Sequence, residues 1–498
     1  MSMKLSKILR KTECESKLFF DTEIENITSK LDSIKDKTLF FLFRAVNFDT
    51  RKIIDKVFEK NPALIITDTD IEENGTVPII KIQNARSTYA YAMWNFCEID
   101  TEHLKFYGVT GTNGKTTTAT MLFNIFRTAK IKCGFIGTGK IIIDERQVSD
   151  MYYSMTTPDP DLLYPTIKRM QEQGCKVIVM EVSSHALFLQ KVAPIRFECS
   201  IFTNLSEEHM DFHKSIKEYY ATKLSLFFQS KKAILNLDDP YGRLAFSELS
   251  PLLETYGVSI RECADATAKD IQYQGFQNCC YIYREANRIF KIIINCVGEY
   301  NISNSLLAIK CAINSGIDEK TIKESLYKQS KIDGRFETVS TTPTVIIDYA
   351  HTYKALKSIL EFIISYKRED QKIITLFGCG GERDRTKRPK MAQISEAFSD
   401  FTIVTADNSR NEKLSDIISE IESGFTKKDC YKVIENRKEA IIYSIELAND
   451  DDVVLLIGKG HERYNIDAEG YHTFDERSII TKAIEEKQRR KNENKNFS

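Results

Sequence analysis

Short apolar runs recur along the middle and the end of the chain, each bounded by glycine or polar residues. Within a run the hydrophobic positions are continuous, as in KVIVMEV at 176–182, and do not alternate with polar ones. Such continuity is typical of strands in a parallel sheet that helices cover on both faces. The runs predicted as strands are 176–182, 199–205, 232–238, 344–349, 372–378, 401–407 and 453–458.

Segments with helical periodicity separate these strands. Over 115–130 the apolar residues fall on one stripe of a helix. They are Met121, Leu122, Ile125, Phe126 and Ala129. The alternation of buried strands and amphipathic helices predicts an α/β fold.

The length of 498 residues corresponds to roughly three domains at about 150 residues each. We predict a small N-terminal α/β domain over 1–103, a central domain with a parallel α/β sheet over 104–335, and a Rossmann-like α/β domain over 336–498. Two further expectations concern 255–297, predicted as an antiparallel edge of the central sheet, and 485–498, predicted as a solvated, fraying tail.

The N-terminal domain is predicted on weaker patterning than the other two. Strand-like runs at 38–43 and 63–68 flank a helix-like segment at 50–60. These elements precede the first strong strand-turn-helix unit, so they form a separate small unit.

Charge and composition exclude several classes of protein. Hydrophobic residues make up 42% of the chain, and 70 Lys and Arg residues against 71 Asp and Glu residues give a net charge of −1. A chain without an overall positive field has no general attraction for nucleic acid or anionic membranes. Any phosphate site must therefore be local.

Cysteine usage and the N-terminal pattern predict a cytoplasmic protein. The 12 cysteines contain no C-x-x-C pair, which argues against a disulfide framework or a zinc site. The first 20 residues are interrupted by charge, so they lack the apolar core of a signal peptide, and no apolar run is long enough for a membrane span.

The strongest local signal is FYGVTGTNGKTTT at 106–118. An apolar run enters a glycine-rich turn that opens a helix, which is the context of a phosphate-binding loop. Gly111 and Gly114 let backbone N–H groups approach phosphate oxygens, and the helix N-terminus favours negative charge. Lys115 is positioned to reach the β- and γ-phosphates, and Thr116 to place its hydroxyl on Mg²⁺. The central domain is therefore predicted to be a P-loop domain that binds a nucleotide.

Eleven further motifs follow the loop, and together with it they resemble the Mur ligase family of ATP-dependent, amide-forming enzymes of peptidoglycan synthesis. Their order along the chain makes the resemblance specific. They are TTP (156–158), EVSSHAL (181–187), TNLSEEHMDFH (203–213), YYATK (219–223), NLDD (236–239), GEYNISN (298–304), GRFE (334–337), DYAHT (348–352), FGCGGERDRTKRPKMA (377–392), DNSRNE (407–412) and GKGHE (458–462).

The resemblance implies an ATP site, a metal site and a catalytic group. The implied ATP-binding residues are Gly111, Thr112, Asn113, Gly114, Lys115, Thr116, Thr117, Asn304 and Arg335. The implied Mg²⁺ ligands are Thr116, Glu181, His209 and Lys223, and the implied catalytic residues are Lys115, Glu181, His209 and Lys223. For His185, His213 and His351 a structural and a functional role remain open.

Lys223 has two interpretations. From its sequence context it is a surface lysine whose stem lies along apolar residues. The resemblance instead implies that Lys223 reacts with CO₂ to form a carbamate that binds metal, which requires a neutral amine.

The implied reaction transfers the ATP γ-phosphoryl group to a substrate carboxylate, and an amine then displaces phosphate from the acyl phosphate. Such chemistry depends mainly on positioning and on charge neutralisation. The resemblance also implies that the C-terminal domain closes over ATP and excludes water.

The DNSR run at 407–410 is similar to the D-N-P-R loop of family members that take meso-diaminopimelate, with Ser409 in place of proline. Arg410 would bind the distal carboxylate that lysine lacks, since arginine suits bidentate carboxylate recognition. A surface turn with a solvated arginine is the open alternative. The implied amino-acid pocket comprises Asp407, Asn408, Arg410, Gly458, Glu462 and Arg388.

The nucleotide-sugar side departs from the family pattern. Lys30-Leu31-Asp32 stands where members carry D-S-R, and Lys191 stands where an arginine is usual. Two hypotheses follow: a monomeric ligase adding meso-diaminopimelate to UDP-N-acetylmuramoyl-L-alanyl-D-glutamate, or a Mur-ligase-like protein that uses lysine, ornithine, another acyl acceptor or a partner through its N-terminal domain. The implied contacts to the UDP-linked dipeptide are Thr156, Thr157, Ser183 and Lys191.

Overall fold

The computed structural model of the chain describes residues 2–17, 21–44, 53–72, 75–148, 155–208, 210, 212–329 and 332–496. In these ranges three larger sheets follow one another along the sequence. Helices pack on them, which confirms the predicted α/β fold. None of the helices in the described ranges is long and apolar enough to cross a membrane. Each sheet lies inside one of the three predicted domains, whose limits stay a prediction.

The N-terminal sheet is parallel, with strand order β3-β4-β5-β6. All five residues of β4 are buried, because helices and loops cover both faces of this strand. The elements of this region are β1 (Met3–Lys4), α1 (Leu5–Ile8), β2 (Glu23–Ile24), β3 (Asn26–Thr28), β4 (Thr38–Leu42), α2 (Ile54–Glu59), β5 (Leu64–Thr67), β6 (Ile79–Lys81) and α3 (Ala85–Phe96).

The central sheet has 11 strands in the order β10-β9-β8-β11-β7-β12-β13-β14-β15-β16-β17. Its elements are β7 (Lys105–Thr110), α4 (Lys115–Thr128), β8 (Cys133–Gly137), β9 (Lys140–Ile143), β10 (Arg146–Gln147), α5 (Pro160–Glu172), β11 (Val177–Glu181), α6 (Ser184–Phe188), β12 (Phe197–Phe202), α7 (Ile216–Leu224), β13 (Lys232–Asn236), α8 (Pro240–Leu249), β14 (Glu254–Ser259), β15 (Ala266–Gln274), β16 (Asn278–Glu285), β17 (Arg288–Ile294), α9 (Glu299–Asn314) and α10 (Glu319–Lys328).

The predicted antiparallel edge at 255–297 is right in part. β14 pairs in parallel with β13 and with β15, and antiparallel pairing begins only between β15 and β16. β17 then extends the antiparallel part.

The C-terminal sheet has the order β18-β19-β23-β20-β21-β22 and is parallel except for β18. Its elements are β18 (Glu337–Thr341), β19 (Thr344–Asp348), α11 (Tyr353–Tyr366), β20 (Ile373–Phe377), α12 (Lys387–Phe398), β21 (Phe401–Val404), α13 (Leu414–Glu422), β22 (Tyr431–Val433), α14 (Arg437–Leu447), β23 (Val453–Ile457), β24 (Tyr464–Asp467), β25 (Gly470–Thr473) and α15 (Glu476–Asn496). The tail predicted to fray is therefore helical as far as Asn496.

The order of the central sheet places β7 between β11 and β12. After β7 the chain forms β8 on one side of this strand and later forms β12 on its other side. The connections therefore run in opposite directions from the carboxyl end of β7. Ligands of open α/β sheets bind at such a switch point. The loop of 111–114 lies at this position.

Candidate active site

Packing requires glycine at two positions of the loop between β7 and α4. Gly111 and Gly114 have φ angles of 145° and 85°, which L side chains rarely adopt. A Cβ on Gly111 would lie 1.9 Å from Thr203 Oγ1, and one on Gly114 would lie 2.4 Å from Asn304 Oδ1. The predicted nucleotide residue Asn304 therefore lies directly against the loop.

The end of β12 holds the loop in shape. Asn113 N–H donates to Asn204 Oδ1 at 3.0 Å, and Thr203 Oγ1 and Asn204 Nδ2 both donate to the Asn113 carbonyl. Thr112 N–H donates to the Asn204 carbonyl at 2.8 Å. Since the first N–H groups of α4 have no acceptor within the helix, a pinned loop presents them to an anion. Thr117 lies buried in that first turn.

Two lysines converge on the loop. Lys115 Nζ donates to the carbonyl oxygens of Gly111 and Thr112 at 2.9 and 2.7 Å. Lys223 Nζ donates to the same Gly111 oxygen at 2.8 Å and lies 4.6 Å from the centre of the Tyr219 ring. Only 1% of the Lys223 surface is exposed, which contradicts the surface interpretation of this residue. Burial, and then the charge of Lys115, lowers the pKa of Lys223 well below its usual value.

Glu181, at the end of β11, is fully buried beside the loop. Its Oε2 accepts hydrogen bonds from the hydroxyls of Thr116 and Thr138 at 2.9 and 3.3 Å, and its Oε1 accepts from Thr138 N–H at 3.0 Å. A carboxylate and a hydroxyl in contact are the oxygen donors that Mg²⁺ prefers. These two predicted ligands therefore fit a magnesium ion in their chemistry.

His209, predicted as a third ligand, lies outside the described residues. Within the described ranges, no three His, Cys, Asp or Glu side chains group into a metal site. Lys223 donates through its amine in this structure, so its predicted role as a ligand stays a prediction.

Two contacts join the C-terminal sheet to the loop region. Arg335 Nη2 donates to Thr116 Oγ1 at 3.4 Å, and its guanidinium lies 4.6 Å from the centre of the Tyr349 ring. His351 Nε2 lies 2.5 Å from Glu208 Oε1. Glu208 also acts electrostatically on Lys115 and Lys223, raising the pKa of each against the larger effect of burial. The structure thus places Arg335 at the loop, as predicted from the motif order.

The four residues predicted to contact the UDP-linked dipeptide lie along the carboxyl end of β11 and its neighbours. Thr157 Oγ1 donates to the Glu181 carbonyl at 2.9 Å, and Thr156 Oγ1 accepts from Thr138. Ser183 Oγ caps α6 by accepting from Ala186 N–H. Ser183 N–H donates a hydrogen bond to Thr157 Oγ1.

Lys191 is 6% exposed, and its Nζ lies 2.6 Å from Asp159 Oδ1. Nearby, Lys30 of the N-terminal region pairs with Asp161 at 2.6 Å. Both lysines therefore have a carboxylate partner, and the second pair joins the N-terminal and central regions.

Five of the six residues predicted for the amino-acid pocket come together at the carboxyl ends of β21 and β23. Asn408 Nδ2 donates to Glu462 Oε2 at 2.7 Å. Arg410, with φ of 53°, donates from Nη1 to the carbonyls of Gly381 and Asn408. A Cβ on Gly458 would lie 3.0 Å from Asp407 Oδ2.

Burial and neighbouring charges shift the pKa values of the acidic residues in this pocket. Burial and the neighbouring Asp407 raise the pKa of Glu462. For Asp407 burial acts in the same direction, but Lys459 and Arg437 outweigh it and hold the pKa below its usual value. Lys459, which sequence reasoning did not single out although it lies within GKGHE, is fully buried behind the pocket.

Arg388, the sixth predicted residue, lies beside these five, because it donates to the carbonyl of Gly380 next to the Gly381 carbonyl that Arg410 holds, and its role in the pocket stays a prediction. Arg388 is fully buried, and its guanidinium donates to Glu412 and Glu420 at 2.8–2.9 Å and to the Gly380 carbonyl. Both carboxylates pair with its terminal nitrogens, while its buried Nε has no hydrogen-bond partner among the described residues. Arg383 in the preceding loop is exposed, and its positive charge acts on Tyr349 beside the pocket.

Two family models match the chain. The model described as the Mur ligase middle domain matches residues 109–312, and the model described as Mur ligase, glutamate ligase domain, matches residues 334–460. The first includes the loop, Glu181 and Lys223, and the second includes the amino-acid pocket up to Gly460.

Curated relatives match over nearly the whole length. A UDP-N-acetylmuramoyl-L-alanyl-D-glutamate--2,6-diaminopimelate ligase of Clostridium tetani is 38% identical over 492 residues, covering 97% of this chain and 100% of the relative. Ligase 1 of the same name from Clostridium acetobutylicum is 36% identical and covers 97% of this chain and 100% of its own length. The N-terminal region is thus included in the similarity.

Solved structures share the fold. A UDP-N-acetylmuramoyl-L-alanyl-D-glutamate--2,6-diaminopimelate ligase superposes with a TM-score of 0.69 at 24% identity, covering 98% of this chain and 100% of that chain. The MurF ligase of Thermotoga maritima in complex with ADP has a TM-score of 0.59 at 16% identity, over 88% of this chain and 94% of its own. With two family models and full-length relatives in agreement, the chain belongs to the Mur ligase family.

Proposed function

We propose that the protein is an ATP-dependent ligase that adds meso-diaminopimelate to UDP-N-acetylmuramoyl-L-alanyl-D-glutamate in peptidoglycan precursor synthesis. The observation that carries this proposal is the pocket at the carboxyl ends of β21 and β23, where Glu462 accepts from the side-chain amide of Asn408 and Arg410 donates to the Asn408 backbone carbonyl. A carboxylate and an arginine that both contact one residue suit a substrate with both ammonium and carboxylate groups. The full-length relatives carry the same name as this activity.

ATP is assigned to the loop of 111–117. Its phosphates would accept from the N–H groups at the start of α4, while Lys115 would turn from the loop carbonyls to the β- and γ-phosphates. Arg335 and Asn304 lie against the same loop and would hold the nucleotide from the far side. Each of these groups neutralises or positions phosphate charge.

Thr116 and Glu181 would hold Mg²⁺, with His209 and carbamylated Lys223 as the further proposed ligands. The ion, when bound, supplies charge neutralisation for the phosphates. Glu181 is prepared for this role because its carboxylate already faces the Thr116 hydroxyl in a buried site.

Carbamylation of Lys223 joins its neutral amine to CO₂ through an N–C bond and releases a proton. The product is a carboxylate-like anion in place of a cation. Burial beside Lys115 favours the neutral amine that this step needs. The carbamate would also remove the repulsion between the two lysines.

The reaction we propose has two steps. The carboxylate of the UDP-linked dipeptide attacks the γ-phosphorus of ATP, giving an acyl phosphate and ADP. The amine of diaminopimelate then attacks the acyl carbon, and the tetrahedral intermediate expels phosphate to leave an amide. Lys115 stabilises the transferring charge, and the contacts of Arg335 and His351 with the central domain support closure over the reactants.

The distal carboxylate of diaminopimelate is assigned to Arg410, with Arg388 beside it in the pocket and the exposed Arg383 as a further cation near by. Arg410 uses Nη1 for loop carbonyls, so the rest of its planar fork can pair with a carboxylate. Asp407 and Glu462 would receive the ammonium group, Asn408 would hold the Glu462 carboxylate in place, and Gly458 would leave room for the ligand. Lysine and ornithine lack the carboxylate that this arrangement selects.

Thr156, Thr157, Ser183 and Lys191 are proposed to line the path of the UDP-linked dipeptide, whose nucleotide the N-terminal domain would bind. The similarity of full-length relatives across residues 1–103 favours this substrate over another acyl acceptor. We further propose a cytoplasmic location, since both ATP and a nucleotide-linked precursor are soluble substrates, and a monomer as the active form.

A phosphate-release assay tests the proposal. The protein is supplied with ATP, Mg²⁺ and the UDP-linked dipeptide, and meso-diaminopimelate, lysine and ornithine are compared. We expect release that depends on the dipeptide and is fastest with diaminopimelate, with a product heavier by one diaminopimelate residue. Absence of release with every amine, or an equal rate with lysine, would contradict the proposed function.

A further inference from the structure

Lys459 lies behind the amino-acid pocket with none of its surface exposed. Its Nζ donates to Asn408 Oδ1 at 3.0 Å and to the Tyr464 carbonyl at 2.9 Å, and lies 3.5 Å from Asp407 Oδ1. A fully buried ammonium group is costly unless it is paired and hydrogen-bonded. Its hydrogen bonds and its ion pair are to the DNSR loop and to the start of β24, and its Nζ lies 5.8 Å from the centre of the Phe474 ring.

These contacts fix which way the Asn408 amide faces. Asn408 Oδ1 accepts from Lys459 Nζ and from Ile466 N–H at 2.9 Å, so both of its acceptor positions are used. The Nδ2 group must then point the other way, where it donates to Glu462 Oε2 at 2.7 Å. A rotated amide would place its oxygen against the Glu462 carboxylate and its NH₂ against two donors.

The same lysine ties the loop to the β24–β25 hairpin. It donates to the first residue of β24, and Arg410 N–H donates to the Ile466 carbonyl at 3.1 Å in the same strand. The hairpin and the loop therefore form one hydrogen-bonded unit that carries both Asn408 and Arg410. Displacement of the lysine would loosen the two groups together.

We propose that Lys459 is the positioning residue of the amino-acid pocket: by holding the Asn408 amide oxygen and facing Asp407, it turns the amide nitrogen and the Glu462 carboxylate toward an incoming diamino acid. This inference rests on the proposed function, because it takes the pocket to bind an amino acid. Lys459 acts through Asn408 and is not itself placed against substrate.

Lys459→Met tests the role, since methionine fills similar volume without a donor. We expect the KM for diaminopimelate to rise about tenfold or more, as for loss of a hydrogen bond to a charged group. The KM values for ATP and for the UDP-linked dipeptide should stay within about twofold of wild type. The matched control is Lys487→Met, because Lys487 of the same domain donates to the Ile445 carbonyl at 2.6 Å, away from the pocket.

A double-mutant cycle separates positioning from a general loss of structure. If Lys459 acts through Asn408, adding Lys459→Met to Asn408→Ala should raise the KM for diaminopimelate little further. If the increases in KM caused by the two single changes multiply in the double variant, the inference is overturned. If Lys459→Met does not fold, Lys459→Gln replaces it in the same cycle, since glutamine keeps a polar group at the buried position.

The two proposals fail in different ways. A wild-type protein without diaminopimelate-dependent phosphate release contradicts the proposed function, whatever the variants do. A wild-type protein that ligates diaminopimelate, together with a folded Lys459 variant whose KM for it is unchanged, overturns the inference alone.

Discussion

Lys115 and Lys223 donate hydrogen bonds to one and the same oxygen, the carbonyl of Gly111, at 2.9 and 2.8 Å. Two ammonium groups on one acceptor repel each other, and the repulsion is weakly screened because both are buried. Burial lowers the pKa of both lysines, and the charge of Lys115 lowers that of Lys223 further. The repulsion between the two lysines would be relieved if one amine bound phosphate and the other were converted into a carbamate.

Lys223→Ala should abolish most of the ligase activity, and a short carboxylic acid should restore part of it. We expect a loss of about 10²–10³-fold in kcat, the range found when a charge-stabilising group is removed. Formate or acetate can enter the space left by the side chain and replace the carbamate oxygens. Activity is measured by phosphate release with and without the added acid.

Lys217→Ala is the matched control, since Lys217 lies on the same helix α7 but is exposed. Its activity should equal that of wild type and should not respond to the acid. Wild-type activity in Lys223→Ala would contradict the carbamate, as would a failure of every short acid to restore activity.

The buried amine of Lys223 should also make stability depend on pH. Its pKa in the folded chain lies well below the ordinary 10.5. Between these two values the unfolded chain binds a proton that the folded chain does not, so the free energy of unfolding rises with pH in this interval. Urea unfolding at pH values from about 7 to 9.5 measures the slope.

Lys223→Met should flatten that slope, with the remainder due to Lys115 and other groups. The exposed Lys217→Met should leave it as in wild type. A slope that is the same in wild type and Lys223→Met would show that the ammonium form is not disfavoured in the folded state.

Arg388→Met should destabilise the C-terminal domain. The change removes the buried cation between Glu412 and Glu420 and leaves them the exposed Arg385 as their ion-pair partner. Breaking a buried pair typically costs ~3–5 kcal/mol of unfolding free energy. Arg490→Met, which removes an exposed pair with Glu446, should cost less than about 1 kcal/mol. Equal effects of the two changes would contradict the structural role of Arg388.

Acid unfolding gives the same test by another route. Hydrogen bonds from Arg388 are the largest cause that lowers the pKa of Glu412, from 4.5 to about 2. A carboxylate with a lowered pKa contributes stability that is present above the unfolded value and is lost as pH falls from about 4.5 toward 2. Without Arg388 this loss should be smaller, because Glu412 then titrates nearer its ordinary value.

Arg388 also shows what the sequence does and does not determine. The run GERDRTKRPKMA indicates that an arginine of this segment belongs to the site, but not which one faces a ligand. Met391 and Ala392 follow three and four residues later and are buried, so Arg388 shares their face of α12. That spacing was readable in the sequence and points Arg388 inward, whereas Arg383 precedes the helix.

Local and nonlocal features differed in how well they could be predicted. The loop of 111–117 and the buried strands follow from residue type and spacing, because their structure is set by neighbours in sequence. The burial of Lys223 depends on α7 packing near β7, more than one hundred residues earlier, and the sequence alone favoured a surface residue. Lys459 was missed for the same reason: its partner Asn408 lies 51 residues away.

Arg410→Ala should remove the preference for diaminopimelate over lysine. The distal carboxylate of diaminopimelate is the group that lysine lacks, and Arg410 is assigned to it. We expect kcat/KM for diaminopimelate to fall by about 10²-fold, as for loss of a charged hydrogen-bond pair of ~3 kcal/mol. The value for lysine should change little, so the ratio of the two falls by about the same factor. Arg490→Ala, an exposed arginine of the same domain, is the control and should leave both values unchanged. If folded Arg410→Ala retained the wild-type ratio, a group other than Arg410 would bind the distal carboxylate. Arg383, an exposed arginine beside the pocket, would then be a candidate.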